Sequence, residues 1–225
     1  MHNQIGVTFE PKVIGVNNGI SQVEFDRNKL LNEKGEYHNF YEYFNDFSFW
    51  QRQDDAFNYF APDMICKKLK KALLTDIMGY GPKIMAFSWL ISDDFYKILK
   101  NFNIGKHKFF DVKIDNCNMK YYFLLKKSIL VSEFNFDETV ISTGQKILDN
   151  YKEHSFRNYE EFFEFSKQNP LLEFRSIAVD RIYEGEDIVF TQAGGNFFSE
   201  ELIKNFIGMR LTGLREYKNC KIDFV

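Results

Sequence analysis

Apolar positions along this chain change period several times, and the changes mark its elements. Near the start, "IGVTFEPKVIGV" gathers Ile and Val into short runs about Pro11. It reads as extended chain, and "ISQVEF" continues the pattern. "LNEKGEYHN" places a turn at Gly35. The aromatic run from Phe40 to Trp50, "FYEYFNDFSFW", fits a helix or a strand equally. From Asp63, "DMICKKLKKALLTDIMG" sets Ile65, Leu69, Leu73 and Leu74 at helical spacing, with Asp63 as the cap and Gly79 as the stop. "GYGP" then reads as a loop.

Two later stretches share one grammar. In the first, "KIMAFSWLI" predicts a strand, and Ser92 can accept from the free N–H groups of a following first turn. Asp93 and Asp94 put negative charge on the positive end of that helix. Phe95, Leu99 and Phe102 fall on one face with Ile98 beside them. "KFFDVKI" and "MKYYFLL" follow as strands about an Asp115-Asn116 turn. In the second, Ser199 follows Gly194-Gly195, Glu200 and Glu201 replace the Asp pair, and Leu202, Ile203, Phe206 and Ile207 form the apolar face. "LTGLREY" then returns as a strand. Duplication and convergence on good capping both produce such a pattern.

Between these copies, "ILVSEFNF" reads as a strand, while "TGQKILDNYKEH" and "NYEEFFEFSKQNP" read as helices, the second stopped by Pro170. "FRSIAVDRIY" and "EDIVFTQ" predict strands joined by a turn at Glu184-Gly185-Glu186. The expected fold is α+β: mixed and antiparallel sheets with helices packed outside, built from two similar strand–capped-helix–strand units. Residues 1–225 are expected to form a single domain.

Composition narrows the function. A chain of 225 residues with 44% hydrophobic and 27% charged residues buries a core without disulfides. With 26 Phe and 12 Tyr, aromatic rings must pack together inside or form an exposed patch for a partner. A net charge of −3 gives a nucleic-acid surface little support. The run Lys67-Lys68-Leu69-Lys70-Lys71 reads as a solvated helix face. Three separated cysteines point to a reducing compartment. The start has no signal-peptide pattern, and no apolar run approaches the roughly 20 residues of a membrane span. A cytoplasmic location away from membranes is expected.

Candidate chemistry is sparse. His2, His38, His107 and His154 stand apart, without zinc-site spacing to each other or to cysteine. "GYGPK" holds a fragment of a phosphate loop, and "QAGGNFFSEEL" precedes a helix start where Glu200 and Glu201 oppose an anion. No G-x-S-x-G elbow occurs. For metal-nuclease chemistry the nearest groupings are Glu10-Pro11-Lys12 and the Glu184, Glu186, Asp187 cluster, and a solvated turn accounts for the latter. The expectation is a protein without catalytic, metal or cofactor sites.

Taken in order, several motifs resemble a known bacterial family. They are Pro62-Asp63 before the first helical region, the Ser92-capped helix leading into strands, and the strand start Phe174-Arg175. The last is the helix Ser199 to Leu202, followed by Thr212-Gly213-Leu214. Over residues 60–217 the chain resembles the Myxococcus-type immunity domain of polymorphic toxin systems; residues 1–59 form an aromatic-rich region that departs from it. The resemblance implies a protein that binds and neutralises a cognate toxin, one to one, and it brings no catalytic residues. The toxin is expected from a neighbouring gene. Candidate contacts for a basic toxin are Glu184, Glu186 and Asp187 and the helix acids Glu160, Glu161 and Glu164, with Tyr159 and Trp50 as anchors. Two other readings stay open: a metal-dependent nuclease or hydrolase assembled from distant carboxylates, and a scaffold or adaptor. A homodimer could use the same aromatic surface.

Overall fold

A computed structural model gives an α+β fold and describes residues 1–17 and 21–225, so Ile20 of "ISQVEF" lies outside the described residues. The chain opens with β1 (His2–Val7), α1 (Pro11–Ile14), β2 (Ser21–Phe25), α2 (Arg27–Leu31), α3 (Glu36–Asn45) and α4 (Gln53–Ala56). There follow β3 (Met64–Lys68), β4 (Ile77–Gly81), β5 (Leu90–Ser92), α5 (Asp93–Leu99), β6 (His107–Ile114), β7 (Tyr121–Lys126) and β8 (Ser128–Ile129). The rest comprises β9 (Val140–Thr143), β10 (Lys152–His154), α6 (Tyr159–Gln168), β11 (Glu173–Val179), β12 (Ile188–Thr191) and β13 (Asn196–Ser199). The chain closes with α7 (Glu200–Gly208), β14 (Leu214–Tyr217) and β15 (Lys221–Phe224).

Where the sequence reading takes residues 1–225 as one domain, the contacts gather into two compact units. The first comprises Met1–Gly6, Ser128–Ile203 and Glu216–Val225; the second comprises Val7–Lys127 and Lys204–Arg215. The boundary expected at residues 59 and 60 therefore falls inside the second unit.

In the second unit, strands β2-β3-β6-β7-β5-β4 close a barrel. Its interior is aromatic: Phe25, Phe40, Phe44, Phe87, Phe110 and Phe123 are all buried. Phe87 stacks on Phe123 with centroids 4.6 Å apart, and Phe40 lies parallel to Phe87 at 5.8 Å. Much of the aromatic excess is thus spent on one core. In the first unit, the five-stranded sheet β14-β1-β13-β12-β8 and the four-stranded sheet β10-β9-β11-β15 contribute jointly to one apolar cluster. That cluster takes Val189 and Phe197 from the first sheet and Ile141, Ile177 and Ile222 from the second.

The ambiguous aromatic run resolves as helix α3 followed by a 3-10 turn, Phe47–Gln51. Phe40 and Phe44, four residues apart, point into the core. The Asp46 carboxylate accepts from Ser48 N–H at 2.7 Å and starts the new turn.

Several expected elements differ. The helix from Asp63 is instead strand β3, a turn and strand β4. Met64 and Cys66 face the core while Ile65 and Lys67 face out, an alternation with period two, and Lys68 is exposed at the strand end. Pairing with β2 on one side and β6 on the other overrides helical propensity here. "GYGP" supplies the end of β4 rather than a loop, and "KIMAFSWLI" is a loop until Leu90. Tyr80 organises that loop: its hydroxyl accepts from Ile84 N–H at 3.3 Å and donates to Phe87 C=O at 2.9 Å. The region about Pro11 is one helical turn closed by Gly15 at φ 76°. "ILVSEFNF" holds strand only at its start, in β8. "TGQKILDNYKEH" yields a 3-10 turn and strand β10, because Gly144 is left-handed at φ 74° and the Asn150 carboxamide accepts from Gln145 N–H at 2.7 Å. On α7, Leu202, Ile203 and Phe206 are buried as expected, but Ile207 is 59% exposed.

The shared grammar reaches past local capping. In the second unit, Asp76 C=O accepts from Ser92 N–H at 2.8 Å, and its carboxylate accepts from Ser92 Oγ at 2.7 Å. Ser92 Oγ accepts in turn from Phe95 N–H at 3.2 Å, and Asp93 N–H donates to Lys120 C=O at 3.0 Å. In the first unit, Asp187 holds Ser199 through the same two bonds at 2.8 and 2.6 Å. Ser199 Oγ accepts from Leu202 N–H at 3.2 Å, and Glu200 N–H donates to Met1 C=O at 3.1 Å.

The sheets match as well. Strand β2 runs parallel to β4 as β8 does to β12, and β4 is antiparallel to β5 as β12 is to β13. Strand β5 is antiparallel to β7, placing Ser92 opposite Tyr121; β13 is antiparallel to β1, placing Ser199 opposite His2. Capping specifies one serine but no strand order, so the common order and register favour duplication over convergence. In the first unit the position that β7 holds beside β5 is taken beside β13 by β1, at the start of the chain.

Candidate binding surface

The sequence-predicted contacts fall into three places. On the turn after β11, Glu184 is exposed while Glu186 and Asp187 are half-buried. Gly185, at φ 113°, makes the turn. Asp187 is committed to Ser199, so its carboxylate is a structural acceptor of the helix start. Glu186 contributes through its backbone: His2 Nε2 donates to its carbonyl at 2.6 Å. Burial holds the His2 imidazole below its ordinary pKa, partly offset by that hydrogen bond.

On α6, Glu160, Glu161 and Glu164 are exposed, and Asn158 caps the helix by accepting from Glu161 N–H at 3.0 Å. Glu161 pairs with Arg157 at 3.4 Å and Glu164 with Lys167 at 2.6 Å, so two of the three acids carry their own counter-ion. Tyr159 is half-buried against Phe136, Phe162 and Phe163. Helix α6 and the Glu184–Asp187 turn lie on either side of β11 in the chain. Trp50 belongs to the other unit, half-buried with its ring edge-on to Phe49 at 5.4 Å.

The most exposed aromatic rings lie at neighbouring positions that sequence reasoning missed. Phe47 is 84% exposed and Phe60 91%. Half-buried Tyr43, Trp50, Phe57 and Tyr59 from the same segment pack on the barrel core. The segment is stapled by two lysines, Lys108 of β6 and Lys106 just before it. Lys108 Nζ donates to Phe57 C=O at 3.0 Å and to Tyr59 C=O at 2.7 Å, and lies 5.4 Å from the Phe60 ring centre. Lys106 lies 4.6 Å from the Phe57 ring and bonds to Asp54 at 2.8 Å. Lys127 bonds to the other Asp54 oxygen at 2.8 Å, and these two ammonium groups hold the Asp54 carboxyl down to about 2. Helical phase gave no signal: Phe47 lies at i+7 from Phe40 and i+3 from Phe44, on the same apolar stripe, and is exposed because the helix ends at Asn45.

The lysine run at the end of β3 and in the turn after it borders two open grooves. One, of about 480 Å³, is lined by Lys67, Lys68, Asp115, Asn116 and Cys117; the other, of about 530 Å³, by Lys70, Lys71, Gly15 and Asn17. Among the described residues, no three His, Cys, Asp or Glu side chains converge as a metal site. No helix of the described residues is long and apolar enough to cross a membrane.

A comparison with known protein families finds none whose pattern the chain matches, and a comparison with curated proteins finds no significant similarity.

Proposed function

We propose that this chain is an immunity protein that binds a cognate bacterial toxin, one to one, and neutralises it by covering its active site rather than by chemistry of its own. One observation carries the reading: exposed aromatic rings are presented on a segment whose backbone is already fixed. Transferring a ring such as Phe60 or Phe47 from water into an interface contributes about 2 kcal/mol. The lysine staples mean that little backbone freedom remains to be lost on binding. Aromatic anchors on a pre-organised surface are what binding hot spots are made of. Exposed acids of the first unit, Glu160 and Glu184 among them, would speed approach of a basic toxin, with an effect that salt suppresses. The order of motifs shared with the Myxococcus-type immunity domain supports the same role.

The test is co-expression with the C-terminal toxin domain encoded beside this gene. The expected result is restored growth and a one-to-one complex on sedimentation. Phe60→Ala should weaken the complex about tenfold or more while leaving the denaturation midpoint unchanged, because its ring is 91% exposed. No rescue and no complex would discard the proposal. A free chain that sediments as a dimer, and becomes a monomer on Phe60→Ala, would assign the surface to self-association instead.

A further inference from the structure

Strand β15 is an outer strand of the four-stranded sheet and runs parallel to β11 on its inner side. Backbone groups along a strand point alternately to its two sides. Val225 N–H donates to Val179 C=O at 2.9 Å, so Lys221, Asp223 and Val225 turn their backbone groups to β11. The N–H and C=O groups of Ile222 and Phe224 therefore turn to the outer edge. A row of such groups is a template for another strand.

Sheets blunt their edges with proline, a bulge or an excess of like charge. Strand β15 carries none of these. Its sequence, "KIDF", has no proline and one charge of each sign. It pairs with β11 one for one, from Ser176 and Lys221 to Val179 and Phe224. Lys221 and Asp223 are exposed on one face, and Ile222 between them is buried in the apolar cluster. Ser176 Oγ of β11 donates to one Asp223 oxygen at 2.8 Å and holds that carboxylate on the exposed face.

The spacing of the two charges makes this strand complementary to itself. A second copy laid antiparallel along the edge, with a two-fold axis at Ile222, sets the two Ile222 residues opposite each other. Their outward N–H and C=O groups then meet, and Phe224 of each copy lies opposite Cys220 of the other. Lys221 of each copy stands opposite Asp223 of the other, on one face. Opposite charges directly across an antiparallel pair stabilise it, and like charges oppose it. The other outer strands do not match themselves in this way. Centring β10 on Glu153 sets that acid against its own copy. Centring β14 on Arg215 or Glu216 does the same, and β8 has only Ser128 and Ile129. The flank of β15 is also of mixed sign: Lys218 and Glu216 border the same opening as Lys221 and Asp223.

We propose that the first unit self-associates through β15, as an isologous antiparallel pair that joins the four-stranded sheets of two copies into one. The pairing does not depend on toxin binding, whose aromatic anchors Phe47 and Phe60 belong to the other unit.

Sedimentation of the full chain over a range of concentrations should show a monomer–dimer equilibrium that Phe60→Ala leaves unchanged. Asp223→Lys and Lys221→Asp each set like charges across both pairs and should weaken the dimer about tenfold or more. Mixed in equal amounts, these two variants should form a dimer of one with the other, since every lysine again meets an aspartate. In the unsubstituted chain, hydrogen exchange at Ile222 and Phe224 N–H should slow as concentration rises, while Asp223 N–H stays constant. A chain that is monomeric at every concentration, or a dimer that Phe60→Ala dissolves, would overturn the proposal. So would single variants that dimerise as tightly as the unsubstituted chain, or a mixture that stays monomeric.

Discussion

Ser92 and Ser199 each join three pieces of chain through one hydroxyl. Each donates to an aspartate across the hairpin and accepts from the first turn of its helix. A hydroxyl is needed because it donates and accepts at once; alanine leaves both partners unmatched. Ser92→Ala and Ser199→Ala should each lower unfolding free energy by about 1–2 kcal/mol in urea titrations, with threonine restoring most of it. At this scale the sequence is informative, since both caps and the acids after them are visible as Ser-acid-acid. The aspartate partners are not, because Asp76 precedes Ser92 by a whole hairpin, and only strand pairing closes that distance. The same holds for Asp187, which as a sequence is one acid in an acidic turn.

At the scale of elements, Thr212-Gly213-Leu214 shows why a short motif has a fixed form. Thr212 N–H and Oγ1 both donate to the Asp76 carboxylate, at 2.7 and 3.1 Å, and Thr212 C=O accepts from Asp76 N–H at 2.9 Å. The segment lies so close to the start of β4 that a Cβ on Gly213, at φ 99°, would stand 1.9 Å from Ile77 C=O. Gly213→Ala meets both a left-handed backbone and a rigid carbonyl. It should destabilise the second unit by about 2 kcal/mol or more, read from its denaturation midpoint and from hydrogen exchange in β4 and β5. Elements whose apolar pattern and stop signals agree, such as α5, α6 and β11, are legible from sequence. The segment from Asp63 to Gly79 is not: its leucines fit a helix, and only the flanking strands β2 and β6 make the competing period of two the stable one. The exposed rings were hidden likewise, because Phe47 and Phe60 look no different in sequence from the buried Phe40 and Phe44.

For the whole molecule, the two units should respond to acid at different pH. The His2 pKa is lowered by burial, so its neutral form is the one the folded first unit favours. A depressed folded pKa gives stability that is present above the unfolded value, about 6.5, and lost as pH falls through the folded one. In the second unit Asp54 is held to about 2 by Lys106 and Lys127, so its contribution persists above the ordinary carboxylate range and fades only as pH approaches about 2. Acidification should therefore weaken the first unit before the second. Urea midpoints measured across pH check this: His2→Gln should flatten the first unit's response below neutrality, and Asp54→Asn should lower the second unit's midpoint at neutral pH and converge with the unsubstituted chain only in strong acid. Simultaneous loss at a single pH in both variants would contradict it.

By itself the sequence determined the α+β class, the two serine caps, the acid pairs that follow them and the likeness between two stretches. These follow from local chemistry, since a cap, a charge near a helix end and an apolar period act over a few residues. Only the tertiary structure decided that the likeness extends to strand order and register, that the lysine run ends a strand and turns at Lys70-Lys71, and that the acids at Asp187, Glu161 and Glu164 are already partnered. It also decided which rings face water. Those outcomes depend on which distant strands pair, and pairing energy belongs to two segments at once, so neither segment can show it alone.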